Sequence, residues 1–538
     1  MKKILPTLLL FISSNLFAQK TSKDDKLILE NLKTTITFLS DDKLEGRRTG
    51  SKGEKLAYEF IQSAFKKAGL STFLANKNYI QPFEVNDGKE IGNENYIVIG
   101  DIMYDLEKTS FPFTYSAPAK DVDLKTIKND VAIIDLATIL KENETNPHFD
   151  LKDKIYTLAK NAQSIGKKAV VFKNSSNIKD GLIFDGKDKS EKLQIPVVYL
   201  ANQIAEQLGE LNYSTTLGIL VKEKKRNGHN VVGYINNNAT STIIIGAHYD
   251  HLGYGEDHNS LHVGTTPAIH NGADDNASGT AALIEIAKWL KKSSLKKYNY
   301  LFVSFSGEEL GLFGSKYFTE NAGFDLKTTN YMINMDMIGR LNESTNGITI
   351  GGYGTSPTWG KLIRKEDVFF KINIDSSGSG PSDHTSFYKK DIPVLFFFTG
   401  SHKDYHKPSD DADKINYKGE LQIIKYIQNL IAQTNKLDKI AFTKTREVSM
   451  GKSSFKVSVG IMPDYTFSGN GVKVDGVSEN KPAQKAGVKT GDVLIQLGEH
   501  KFSDVQSYMG VLNKFEKGQS TNLKLMRGKE EIVVPITF

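Results

Sequence analysis

Four short apolar runs, Thr242 to Ala247, Tyr300 to Phe305, Tyr331 to Met335 and Val394 to Phe398, constrain this chain more than any other feature of it. Each run is nearly continuous rather than alternating, so both faces of each strand must be covered, and stretches of helical spacing such as Gly279 to Leu290 lie between them. The pattern predicts an α/β fold: a mixed, mostly parallel sheet covered by helices, an architecture that gathers its sites at strand C-termini. Each run also leads into a carboxylate or an imidazole. His248-Tyr249-Asp250 follows the first, Glu308-Glu309 the second and Asp336 the third, while the fourth precedes a loop bearing His406.

The rest of the chain divides around this region. Lys2-Lys3, the apolar run Ile4 to Leu10 and the small residue Ala18 have the layout of an export signal over residues 1–18, which places the mature protein in the periplasm or outside the cell. Pro6 and Ser13-Ser14-Asn15 leave that run well short of the ~20 apolar residues of a membrane span, and no later segment supplies a stable one. Residues 27 to 70 carry helical spacing on both sides of the turn-like Glu45 to Ser51, which reads as two helices joined by a loop. From 118 to 225 short β-type runs around a helical piece near 155–165 read as a β-rich α/β insert. The main region is expected in two parts around it, 19–117 and 226–438, followed by a linker over 439–453 and a small domain of short strands over 454–538.

Composition removes several kinds of chemistry. The 538 residues include no cysteine, which excludes thiol nucleophiles, iron–sulfur clusters, disulfides and Cys-ligated zinc. A formal net charge of +6, with no basic block, argues against a nucleic-acid partner. Phosphate-loop, H-E-x-x-H and G-x-S-x-G patterns are all missing. What remains is a set of oxygen and nitrogen donors at one sheet edge, which suits zinc or a related divalent ion. Taken singly, each has a plainer reading: Asp275 as a helix cap, Asp250 as a turn residue, a lone histidine as a satisfied polar group. Together they do not, because adjacent Glu308 and Glu309 after a buried strand set repelling carboxylates in a medium that only cations relieve.

The fragments Gly246-Ala247-His248-Tyr249-Asp250, Asn271 to Gly279, Phe305 to Ser315, Asn334 to Gly339 and Tyr405 to Asp410, with Leu39 to Ser51 at the front, resemble the co-catalytic di-zinc aminopeptidases related to glutamate carboxypeptidase. The resemblance implies a zinc exopeptidase acting on peptide substrates, with two zinc ions per chain. Asp275 would bridge them, His248 and Asp336 would complete one, and Glu309 and His406 the other. It further implies that Asp250 orients His248, that Glu308 is the general base, and that the Asp275–Asn276 peptide is cis. His251, His258, His262 and His270 then read as loop residues rather than ligands, His402 as a weaker rival of His406, and Ser382 to Phe387, with His384, as a segment near the substrate. The 118–225 insert resembles a protease-associated domain.

The end of the chain, with Pro482-Ala483, Ala486-Gly487-Val488 and Gly491 to Ile495, resembles a bacterial exported PDZ domain in which Val459 to Met462 would receive a peptide C-terminus by strand addition. A stabilising appendage with a closed groove is the alternative. For the whole chain the alternatives are a non-catalytic receptor or adaptor on the same fold, and a carboxypeptidase or glutaminyl cyclase variant.

Overall fold

A computed structural model of the chain describes residues 22–538 apart from 74–76, 145–148, 187, 189, 209–213, 258, 263, 265, 365–368, 446–456, 464–469, 478–480, 504 and 513. The expected export signal, most of the expected linker and His258 lie outside the described residues.

The centre is an eight-stranded mixed sheet. Its strands are β1 (Ile80–Ile91), β2 (Val221–Ile235), β3 (Thr242–His248), β4 (Asn299–Phe305), β5 (Thr329–Met335), β6 (Gly347–Gly351), β7 (Lys371–Ile374) and β8 (Val394–Phe398), in the spatial order β1-β2-β4-β3-β5-β8-β6-β7. The four apolar runs of the sequence are the neighbouring strands β4, β3, β5 and β8, all parallel to one another. Every residue of these four is buried. Helices α1 (Lys23–Leu39), α2 (Lys52–Lys67), α3 (Gly279–Lys292) and α4 (Tyr417–Thr434) share a core with the sheet that includes Leu32, Ile36, Phe65, Ile245, Leu283, Ile333 and Ile427. A second cluster on the sheet, with Val232, Ile244, Val303, Phe318 and Phe387, accounts for the continuous rather than alternating hydrophobicity of the strands.

Parallel order has a direct consequence. The C-terminal ends of β3, β4, β5 and β8 open on one edge, with His248 level with Phe305 and Asn334 level with both Gly246 and Phe396. Residues that are far apart in sequence leave the sheet at the same height.

Two smaller sheets of four strands each are built between Tyr96 and Ile219, one around the pairing of 96–99 with 215–219 and one around the parallel strands 131–135, 169–173 and 197–200. The C-terminal region is a small, antiparallel sheet closed around Val459, Val472, Leu494, Leu523 and Leu525. Among the described residues no helix is long and apolar enough to cross a membrane.

Candidate metal centre

His248 is the last residue of β3, and its Nε2 lies 3.3 Å from Asp336 Oδ1 and 3.4 Å from Asp275 Oδ1. His406 Nε2 lies 3.4 Å from Asp275 Oδ2 and 3.2 Å from Glu309 Oε2. Asp275 therefore turns one oxygen to each half of the cluster. Glu308 Oε2 is 3.9 Å from His248 Nε2, so the first glutamate of the Glu308-Glu309 pair sits beside the His248 half.

Local structure fixes each of these groups. Asp275 lies in the turn that precedes α3, its peptide bond to Asn276 is cis, and Asp410 Oδ2 accepts from the backbone N–H groups of Asp274 and Asp275 at 2.9 and 3.1 Å. Asn276 ties that turn to the end of β5, donating to the Met335 carbonyl at 2.9 Å and accepting from Met337 N–H at 3.2 Å. Each imidazole has its Nδ1 against a backbone carbonyl, His248 against Asp250 at 3.2 Å and His406 against Asn259 at 2.9 Å. Such a bond occupies Nδ1 and leaves Nε2 as the nitrogen that could ligate an ion shared with the carboxylates.

Asp250 stands beside His248, but its carboxylate is 3.6 Å from Nδ1 and is taken up elsewhere. Oδ1 accepts from Glu308 N–H at 3.2 Å and Oδ2 from the Thr49 hydroxyl at 3.0 Å, while Thr49 Oγ1 accepts from Gly307 N–H at 3.1 Å. Thr49 and Asp250 thus grip the backbone just ahead of and at Glu308. Arg47, wholly buried, has no carboxylate in contact; its guanidinium donates to the carbonyls of Tyr249 (2.7 Å), Asn271 (2.6 Å), Gly272 (3.0 Å) and Leu39. Burial pushes this guanidinium down to about 10 despite the surrounding Asp275, Asp250, Asp410 and Glu309. Neither residue announces a site role in the sequence, since each acts on segments some 200 positions away.

The electrostatics are those of crowded carboxylates. Burial pushes the Glu308 carboxyl well above the ordinary range; His248 opposes this, while Asp336, Glu309 and Asp383 add to it. Burial disfavours charge on His248 and His406, but Asp336 and Glu308 around the one, and Glu309 and Asp275 around the other, raise both well above an ordinary imidazole. Asp383, also buried, is raised to about 7 by burial, with Asp250 and Asp336 adding to the shift and His248 and Ser315 opposing it. Next to it, His384 stacks on Phe396 at 4.5 Å between ring centroids.

Two groups among the described residues have donor atoms close enough to hold an ion: His248, Asp275 and Asp336, and His251, Asp275 and Glu309. Ligands at ~2.0–2.1 Å around a tetrahedral zinc stand about 3.3 Å apart. The separations of 3.3 and 3.4 Å around His248, and of 3.4 and 3.2 Å around His406, match that edge on both sides of Asp275. The oxygen and nitrogen donors fit zinc. His251, read as a loop residue in the sequence, is in contact with the second group, while His402 faces Asp274 at 3.2 Å, behind the cluster. His270 is spent on the Ala268 carbonyl at 2.9 Å and the Ser260 hydroxyl at 2.7 Å.

Residues 230–431 match the family model of peptidase family M28, and residues 440–537 match that of the PDZ domain. An aminopeptidase of Bacillus subtilis is 27% identical over 275 residues, which cover 48% of this chain and 56% of that protein. Leupeptin-inactivating enzyme 1 of Streptomyces exfoliatus is 29% identical over 213 residues, 39% of this chain and 43% of that one. The chain thus spans about half the length of these curated relatives. The solved zinc aminopeptidase BSAP of Bacillus subtilis is 21% identical, with a TM-score of 0.44 over 78% of this chain and 96% of that one.

Proposed function

We propose that this chain, which carries an M28 peptidase domain and a C-terminal PDZ domain, is an exported zinc aminopeptidase that removes N-terminal residues from peptides. The observation that carries the reading is Asp275, whose two oxygens face two separate donor sets, each at zinc-ligand spacing. His248 and Asp336 would hold one ion and Glu309 and His406 the other, with Asp275 shared. When bound, two zinc ions supply Lewis-acid polarisation of the scissile carbonyl and acidify the attacking water.

The chain's own residues do the proton work. Glu308 accepts the proton of the attacking water on a carboxylate oxygen and delivers it to the departing amine. Its place beside His248, with Oε2 3.9 Å from Nε2, supports that role. Asp250 accepts from the Glu308 backbone N–H and Thr49 from that of Gly307, which fixes the point from which the side chain leaves the backbone. On this reading residues 1–18 direct export. The segment expected over 118–225, whose two sheets also take in the strands at 96–99, 102–105 and 111–112, is a protease-associated insert, and the PDZ groove beside Ile461 takes a peptide C-terminus.

The test is digestion of a mixed peptide pool, read by mass spectrometry with and without chelator, on protein whose zinc is counted. Loss of N-terminal residues, about two zinc ions per chain and full suppression by chelator are expected. C-terminal trimming or ammonia loss would replace this reading with a carboxypeptidase or a cyclase. An inert chain that binds no zinc would leave a receptor or adaptor.

A further inference from the structure

His251 is the buried imidazole at the cluster to which the proposed reaction gives no task. Its Nδ1 lies 2.8 Å from Glu309 Oε1 but 3.9 Å from Asp275 Oδ2. The first is a charge-assisted hydrogen bond, shorter than two ligands of one tetrahedral zinc stand apart; the second is longer than that edge. Glu309 divides its oxygens accordingly, Oε2 to His406 at 3.2 Å and Oε1 to His251. The carboxylate can only accept, so Nδ1 carries the hydrogen and donates.

The surroundings hold that imidazole in place. Its side chain is wholly buried. Gly272, at φ +56°, lies flat against the ring: a Cβ there would stand 2.5 Å from His251 Cδ2 and 2.1 Å from the Asp275 carbonyl oxygen. The absence of a side chain at 272 is therefore what admits the imidazole between the Asp275 turn and Glu309. Asn259 closes the other side, with its carbonyl on His406 Nδ1 at 2.9 Å and its amide on the Glu309 carbonyl at 3.3 Å.

We propose that His251 is a positioning residue for the second zinc: it holds Glu309 by Oε1 so that only Oε2 is presented to the ion shared with Asp275 and His406. The inference rests on the two-ion reading above. Without the bond, Glu309 rotates about its last torsion and offers either oxygen or both, which weakens and loosens the second ion and leaves the first, on His248 and Asp336, unchanged.

The experiment is zinc titration of metal-free full-length protein by competition with a chromophoric chelator, for wild type, His251→Ala and His251→Asn, with cobalt(II) absorption of the loaded forms. Asparagine places an amide N–H where Nδ1–H stands. His251→Ala should weaken one of the two ions by about 10- to 100-fold, the usual cost of removing a ligand's hydrogen-bond partner, and leave the other unchanged. His251→Asn should recover most of that loss, with cobalt bands of wild-type intensity. Equal affinities in wild type and His251→Ala overturn the inference while two-ion binding stands. Failure of His251→Asn to recover affinity, with cobalt bands altered in intensity, makes His251 a ligand and also overturns it. If wild type itself takes up fewer than two ions, the two-ion reading fails instead. Should His251→Ala not fold, as judged by circular dichroism, the asparagine variant against wild type still decides between donor and ligand.

Discussion

Replacing Arg47 with methionine keeps much of the side chain's length and apolar stem and removes every donor. The carbonyls of Leu39, Tyr249, Asn271 and Gly272 then lose their partner together, in a place that water does not reach. One buried acceptor left unpaired costs roughly 1–3 kcal/mol. Four adjacent ones relax in concert, and removing a buried charge with no carboxylate in contact returns part of its desolvation cost, so the simple sum overstates the loss. We expect a net loss of about 3–5 kcal/mol, at the low end of the roughly 4–12 kcal/mol that four such acceptors would cost separately. At about 2–4 °C per kcal/mol for a domain of this size, the domain built on the eight-stranded sheet should melt about 6–20 °C lower. The assay is differential scanning calorimetry of the full chain in chelator. Because all four bonds go to backbone carbonyls, the shift should appear without metal. Arg47→Lys, with an ammonium that cannot reach all four acceptors at once, should fall between. A methionine variant melting within about 2 °C of wild type in chelator would refute the idea that this guanidinium clamps the end of α1 to the turns bearing His248 and Asp275.

Glu308→Gln should retain wild-type zinc content and lose about 10²- to 10⁴-fold in kcat, the range for removing a general base; loss of zinc would show instead that Glu308 is a ligand. At Gly314 a Cβ would stand 2.1 Å from the Ser306 carbonyl oxygen and 2.4 Å from Asn230 Oδ1, so Gly314→Ala should lower stability in urea by roughly 1–3 kcal/mol, and an unchanged midpoint would contradict that close approach. In the PDZ domain, burial alone would raise the Asp492 carboxyl, but the bonds from Arg527 at 2.8 and 2.7 Å and from Lys489 N–H hold it below the ordinary range. Its contribution to stability is therefore complete above the unfolded value near ~3.9 and lost as pH falls through the lower folded value. Asp492→Asn should lower the PDZ melting temperature at pH 7 and the gap should close on acidification; a gap that stays constant with pH would exclude this carboxylate as its source.

How much of this was legible in the sequence depends on whether the governing contact is local. Strands β3, β4, β5 and β8 are buried on both faces, so continuous apolar runs marked them. Strand β1 alternates buried and exposed residues and carried no such mark; in β2 only the mostly buried second half, Asn230 to Ile235, carried it, the first half being largely exposed where the two form a ribbon. The residues that leave the four buried strands were legible because parallel pairing alone brings strand ends together: once β3, β4 and β5 were recognised, His248, Glu308, Glu309 and Asp336 had to meet. His251 and Thr49 obey a different logic. The imidazole of His251 finds Glu309 58 positions on, and the Thr49 hydroxyl finds Asp250 201 positions on, through loops whose path no period records. A strand end states which atoms will be neighbours, whereas a loop states only that they are free to be. The residues that orient a site are drawn mainly from loops, so they are the ones a structure adds, and they are where substitution should alter metal affinity or geometry before it alters the fold.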